Sequence, residues 1–276
     1  MAAGLEGGAV EVVESLERAV HAACAQLRFS EGLRRRWAEA RAEAAVQEAA
    51  HFSVWRGTPV PASKIRALTF GGDFVSDEGE AENLGAPLAE ALGVWRATWE
   101  ALSELPPLNS PRQSSLARTA TRGLQVPHPQ MLATINKNAS SFLVAAGLKN
   151  LGDVGRPEDA AALQGVLRAS SRLGSSDAIT HLAEIWEMFA TRRVFRVASE
   201  ATGLVYVKTL LAQIGAEPTG VAVLSKRLAD ESGGDRRKAR AEETGEWQTR
   251  FREMVLEGAR EGEALALHVQ AGVTKN

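Results

Sequence analysis

The segment from Glu200 to Ile214 constrains the fold more than any other stretch. Its apolar residues Leu204, Val205, Val207, Leu210, Leu211 and Ile214 cover so much of a helix's circumference that no face is left for water. Such a helix is stable only when other elements surround it, and the remaining sequence supplies helices to do so. From Val12 to Leu27 the residues Val12, Val13, Leu16, Val20, Ala23 and Leu27 fall mostly three and four apart, on one helix face. Ser30 is a suitable N-cap for a long helix from about Glu31 to Trp55, within which Arg35 and Glu39 have ion-pair spacing. Gly57, Pro59 and Pro61 end that helix. A short helix near Ser63 to Leu68 then leads into a polar, Gly-rich loop from Gly71 to Glu82.

Between Leu84 and Leu105, Leu88, Leu92, Trp95, Trp99 and Leu102 form a core-facing stripe, stopped by Pro106-Pro107. The basic segment Arg112 to Arg122 is open between helix and loop. Further helices are expected near Pro129–Ala146, Pro157–Leu173, Ser176–Arg192, Glu200–Ile214, Val221–Asp230 and Arg236–Val269. Pro157 suits a first helical turn, where a missing N–H is harmless. Alternation of period two never persists, so the expected class is all-α, with at most a small β-hairpin near Arg66 to Phe74.

With 276 residues and 45% hydrophobic content, the expected organisation is one helical domain over 1–276, with an N-terminal helical part at 1–80 and the core at 81–276. Basic and acidic residues nearly balance, 32 against 34, so no overall field draws the chain to nucleic acid or an anionic membrane. The lone Cys24 excludes an intrachain disulfide and a cysteine-based zinc site, which fits a reducing cytoplasm. No basic n-region opens the sequence, and no apolar run reaches the roughly 18 residues of a membrane span, so a cytoplasmic location is expected.

Chemistry concentrates attention on Arg193-Val194-Phe195-Arg196-Val197-Ala198-Ser199-Glu200, a loop between two apolar helices, the second closed by Ile214-Gly215-Ala216-Glu217-Pro218. This arrangement resembles the centre of the Fic/Doc fold, in the variant common in high-GC actinobacteria. Leu33 to Val46 looks like the N-terminal helix of those proteins, and Gly155-Arg156-Pro157 with the following helix keeps the family order. The family loop reads His-Pro-Phe-x-Asp/Glu-Gly-Asn-Gly-Arg, of which only Phe195 is retained within 193–203. Arg193 stands at the histidine that acts as general base, and Val197 at the acid that holds magnesium. Ala198-Ser199-Glu200 stand at Gly-Asn-Gly, and Ala201 at the arginine. A guanidinium with a pKa above about 12 accepts no proton, valine ligates no metal, and a Glu200 carboxylate repels phosphate. The family's inhibitory motif, Ser/Thr-x-x-x-Glu-Gly/Asn, is likewise lost, with Phe52 at the hydroxyl residue and Arg56 at the glutamate before Gly57.

What the resemblance implies is a catalytically inactive Fic-like pseudoenzyme that works through protein–protein interaction, as a regulator or scaffold. No cofactor, metal or catalytic residue is expected. The expected partner is a protein; membrane and nucleic acid are not expected, and a homo-oligomer is compatible. Trp186, Arg192, Arg193 and Arg196 are the candidate cleft residues for an anionic partner segment. Two alternatives stay open: a divergent nucleotidyl- or phosphotransferase using Glu187, Arg196 or Glu200, and an unrelated all-helical regulatory protein. His21, His51, His128, His181 and His268 lack metal-site spacing, and no Gly-x-Ser-x-Gly, Walker or Gly-x-Gly-x-x-Gly motif occurs. The basic clusters Arg34–Arg36, Arg192–Arg196 and Arg236–Arg240 are flanked by glutamates and read as solvated or interface charges.

Overall fold

The computed structural model describes residues 3–70, 84–103, 105, 128–175, 177–231 and 244–272. Among these the protein is all-α. The helices are α1 (Ala3–Arg28), α2 (Leu33–Trp55), α3 (Ala62–Phe70), α4 (Ala86–Ser103), α5 (His128–Ala145), α6 (Ala160–Ser170), α7 (Ala178–Thr191), α8 (Ser199–Gln213), α9 (Ser225–Asp230) and α10 (Thr244–Gln270). A single 3-10 turn, Leu151–Asp153, lies between α5 and α6.

The all-round apolar helix is central. Every residue from Ala201 to Ala212 is buried, and α8 packs against α7, α5 and α4. Close approach to α7 depends on Gly203, where a Cβ would sit 2.3 Å from Cγ of Phe189. Around this centre, α2 packs on α4, α9 and α10, while α1 lies against α10. The α4 stripe divides by depth: Leu92, Trp95 and Leu102 are buried, whereas Leu88 and Trp99 are half-buried.

Polar groups inside the molecule fix the segment between α8 and α9. Lys208, 2% exposed at its side chain, and Glu48, fully buried, form an ion pair at 2.6 Å. Lys208 also donates to the carbonyl of Ala222 at 2.6 Å, and the Glu48 carboxylate accepts the N–H groups of Leu224 and Ser225 at 3.2 and 2.7 Å. Each buried charge therefore has a counter-charge and further hydrogen bonds, the condition for tolerating it in the interior. Nearby, Glu217 accepts the N–H groups of Thr219 and Gly220, and burial holds its carboxyl above the usual range. Arg41, stacked over Trp37 at 4.8 Å, donates to the Thr219 carbonyl at 2.6 Å; burial lowers its guanidinium to about 10.

Several local expectations are corrected. Ser30 does not cap α2: its hydroxyl is buried without a hydrogen-bond partner, and Gly32, pressed onto the backbone of Ala266, precedes the helix. Glu39 meets Arg36 at 3.3 Å and not Arg35, because α2 is kinked at Arg36 (φ −121°, ψ 33°), which rotates the helix faces. Pro157 is not in a first turn. It forms an isolated bridge with Phe195, and Asp159 caps α6 by accepting from the Ala162 N–H at 2.9 Å. Residues 221–224 are not helical, since their amides bind elsewhere: Val223 N–H donates to the Gly258 carbonyl at 2.9 Å, and Leu224 N–H to Glu48. Arg66 to Phe70 belong to α3, not to a hairpin. Residues 71–74, the loop to Glu82, the segment Arg112–Arg122 and the cluster Arg236–Arg240 lie outside the described residues.

Candidate functional site

The loop from α7 to α8 turns two ways at once. Val194, Phe195 and Val197 point inward, at 0, 3 and 2% exposure, while Arg192, Arg193 and Arg196 point outward. Phe195 lies 6.2 Å from the Phe189 ring, so the inward residues extend the core beneath the loop. Alternation of valine, phenylalanine and arginine is the local reason: apolar side chains take the protein side and guanidinium groups the water side. Ala198 then adopts a left-handed backbone (φ 51°, ψ 36°) before Ser199 opens α8. Such a conformation disfavours a residue with a Cβ, and surrounding bonds hold it.

Asn136 on α5, fully buried, is the principal support. Its Nδ2 donates to the Val197 carbonyl at 2.8 Å and to Thr202 Oγ1 at 2.9 Å, and its Oδ1 accepts the Gly155 N–H at 2.8 Å. Thr202 Oγ1 in turn donates to the Ala198 carbonyl at 2.7 Å. One amide thus ties the α7–α8 loop to the α5–α6 connection. That connection also pairs along the loop, with Glu158 N–H donating to the Val194 carbonyl at 3.0 Å and Arg196 N–H to the Arg156 carbonyl at 3.1 Å.

The outward arginines meet carboxylates from the same connection. Arg192 lies 3.4 Å from Asp159, and Arg196 lies 3.1 Å from Asp153 and 3.6 Å from Glu158. The Ala162 N–H, with Arg192 adding its charge, holds the Asp159 carboxyl below the usual range. Arg193 makes one polar contact, to the Arg196 carbonyl at 3.2 Å, and has no carboxylate partner among the described residues. Glu187, half-buried one turn before the loop, has its carboxyl pushed up by burial and by Glu184, against Arg192.

The turn at the end of α2 joins this site. Arg56 caps α2 and reaches Glu90 of α4 at 3.2 Å and Glu200 of α8 at 3.1 Å, all three side chains less than a third exposed. Glu200 belongs to the first turn of α8, where the positive end of the helix favours a carboxylate. Phe52 is core, its ring 5.4 Å from Trp55, and Gly57 takes φ 78° as the chain leaves the helix.

Trp186 is corrected as a cleft residue. It is 0% exposed, its ring 6.0 Å from Trp55, because it shares the inward face of α7 with Leu182, Ile185 and Phe189. The arginines therefore stand on a polar ledge without an aromatic edge. Sequence reasoning missed Asn136, Glu90 and the acidic partners Asp153, Glu158 and Asp159. The last two stand next to Pro157, and their run of charge opposite an arginine-rich loop was the available signal; Asn136 and Glu90 offered none. The chain matches no protein-family model, and no curated protein sequence matches it. No helix among the described residues is long and apolar enough to cross a membrane.

Proposed function

We propose that the protein is a Fic-like, catalytically inactive module that binds a protein partner at the α7–α8 loop. The observation carrying this reading is the burial of Val197 at 2% with its carbonyl bonded to Asn136. In the proposed register this is the metal-holding position, and here it belongs to the core. Arg193 at the base position cannot accept a proton. Glu200, bound to Arg56, places negative charge at the helix end where the family cradles phosphate. The surface left for recognition is the ledge of Arg156, Arg192, Arg193 and Arg196 with Asp153, Glu158 and Asp159, a patterned charge surface that selects an oppositely patterned acidic segment.

A second reading rests on Glu187. A half-buried carboxyl with a raised pKa at the loop is the kind of group that serves proton transfer, which favours the divergent transferase. Incubation with labelled Mg-ATP separates the two. Under the binding-module reading, neither the wild type nor Arg193→His transfers label to itself or to lysate proteins, and millimolar Mg-ATP leaves the thermal midpoint unmoved. Transfer by the wild type that disappears in Glu187→Gln, Arg196→Ala or Glu200→Gln overturns it.

A further inference from the structure

The end of α8 opposite the loop, about 22 Å away along its 15 residues, carries a groove that the reading above leaves unused. It encloses about 430 Å³ between the carboxyl half of α1, the amino end of α7 and the turn after α8. That volume is within the range of small-molecule sites. The walls are mainly apolar: Ala25 from α1, Ile179 from α7, Ile214 and Pro218 after α8. At the rim stands Phe29, 74% exposed, a large apolar side chain that contributes little to the core.

Charge in the groove is one-sided once its pairs are subtracted. Glu17 lies 3.2 Å from the Arg252 guanidinium and 4.0 Å from His21, so its charge is already opposed. Cys24, beneath the groove, keeps its proton, because burial and then Glu217 push its thiol up to about 12; it brings neither charge nor nucleophile. Arg28 differs. It lines the groove half-buried, its guanidinium 5.7 Å over the Phe29 ring, and has no carboxylate partner among the described residues. A guanidinium with five donors beside an apolar cleft recognises a carboxylate attached to an apolar body.

We propose that this groove binds an amphipathic carboxylate, its chain lying along Ala25, Ile179, Ile214 and Pro218 and its head on Arg28. The site needs no catalysis and does not depend on the Fic-like reading. Titration calorimetry of the full chain with decanoate, below its micelle concentration, tests it, with 1-decanol as the uncharged control. Decanoate is expected to saturate one site, and 1-decanol and the Arg28→Gln variant to bind at least about tenfold more weakly. Ala25→Trp, on an exposed wall position, is expected to abolish binding by filling the groove while leaving the thermal midpoint of the free protein unchanged. Absence of saturable heat, equal affinity for decanol, or undiminished binding by Arg28→Gln or Ala25→Trp overturns the proposal.

Discussion

Lys208, buried, and His51, half-buried, report most directly on how the interior is charged. Lys208→Met leaves the Glu48 carboxylate in the core with two amide donors and no counter-charge, and is expected to lower unfolding free energy by about 3–5 kcal/mol in urea titrations. His51 acts through pH. Burial lowers its pKa from the ordinary 6.5, against the pull of Glu48, Glu261 and Asp230, while Lys226 reinforces the lowering. The unfolded histidine therefore takes up its proton at higher pH than the folded one. The stabilising effect is complete above 6.5 and is lost as pH falls toward the folded value, at up to about 1.4 kcal/mol per pH unit. Replacing it with leucine is expected to flatten that decline in stability measured between pH 7 and 5, with His128, also lowered by burial, leaving a remainder. None of this was legible beforehand. Glu48 and Lys208 are 160 positions apart, and Trp186 was expected at a cleft because nearness along the chain says nothing about which way a helix face points.

Helices were far more legible than their ends. The apolar circumference of Glu200–Ile214 and the stripe of α4 each identify an element whose burial follows from composition alone. Depth within the stripe is a tertiary property, and it decides the mutational response. Trp95→Ala, at 5% exposure, is expected to lose about 3–5 kcal/mol, whereas Trp99→Ala, half-buried, should lose clearly less in the same denaturant series. Iodide should correspondingly quench Trp99 more readily than Trp95 in variants retaining one of the two. The boundaries went astray where a neighbouring element competes for backbone groups. Residues 221–224 have helix-compatible side chains, yet the Gly258 carbonyl and the Glu48 carboxylate take their amides. Ser30 has the right type for a cap, but its hydroxyl is buried without a partner, and Gly32, pressed onto α10, precedes the helix instead.

At the scale of the molecule, Arg56 links α2, α4 and α8 across sequence separations of 34 and 144 residues. Arg56→Ala removes the cation that Glu90 and Glu200 share, and is expected to cost about 1–2 kcal/mol, less at high salt, where screening weakens the ion pairs in the wild type. Guanidinium chloride would mask that dependence, so thermal unfolding at low and high sodium chloride is the suitable measurement. The candidate site was thus half legible: its loop could be located between two apolar helices and its charges read from residue types, but the clamp of Arg56 on Glu200, 144 positions away, is set by packing. The packing of α1 on α10, held at one point by Gln26 and Glu263 across 237 positions, is among the longest-range contacts of the described residues. The apolar face of α1 therefore takes much of its native cover from a helix far along the chain. Contacts of such sequence separation form slowly, so the α1–α10 pairing is expected to close late in refolding and to leave apolar surface of α1 open to other chains until it does.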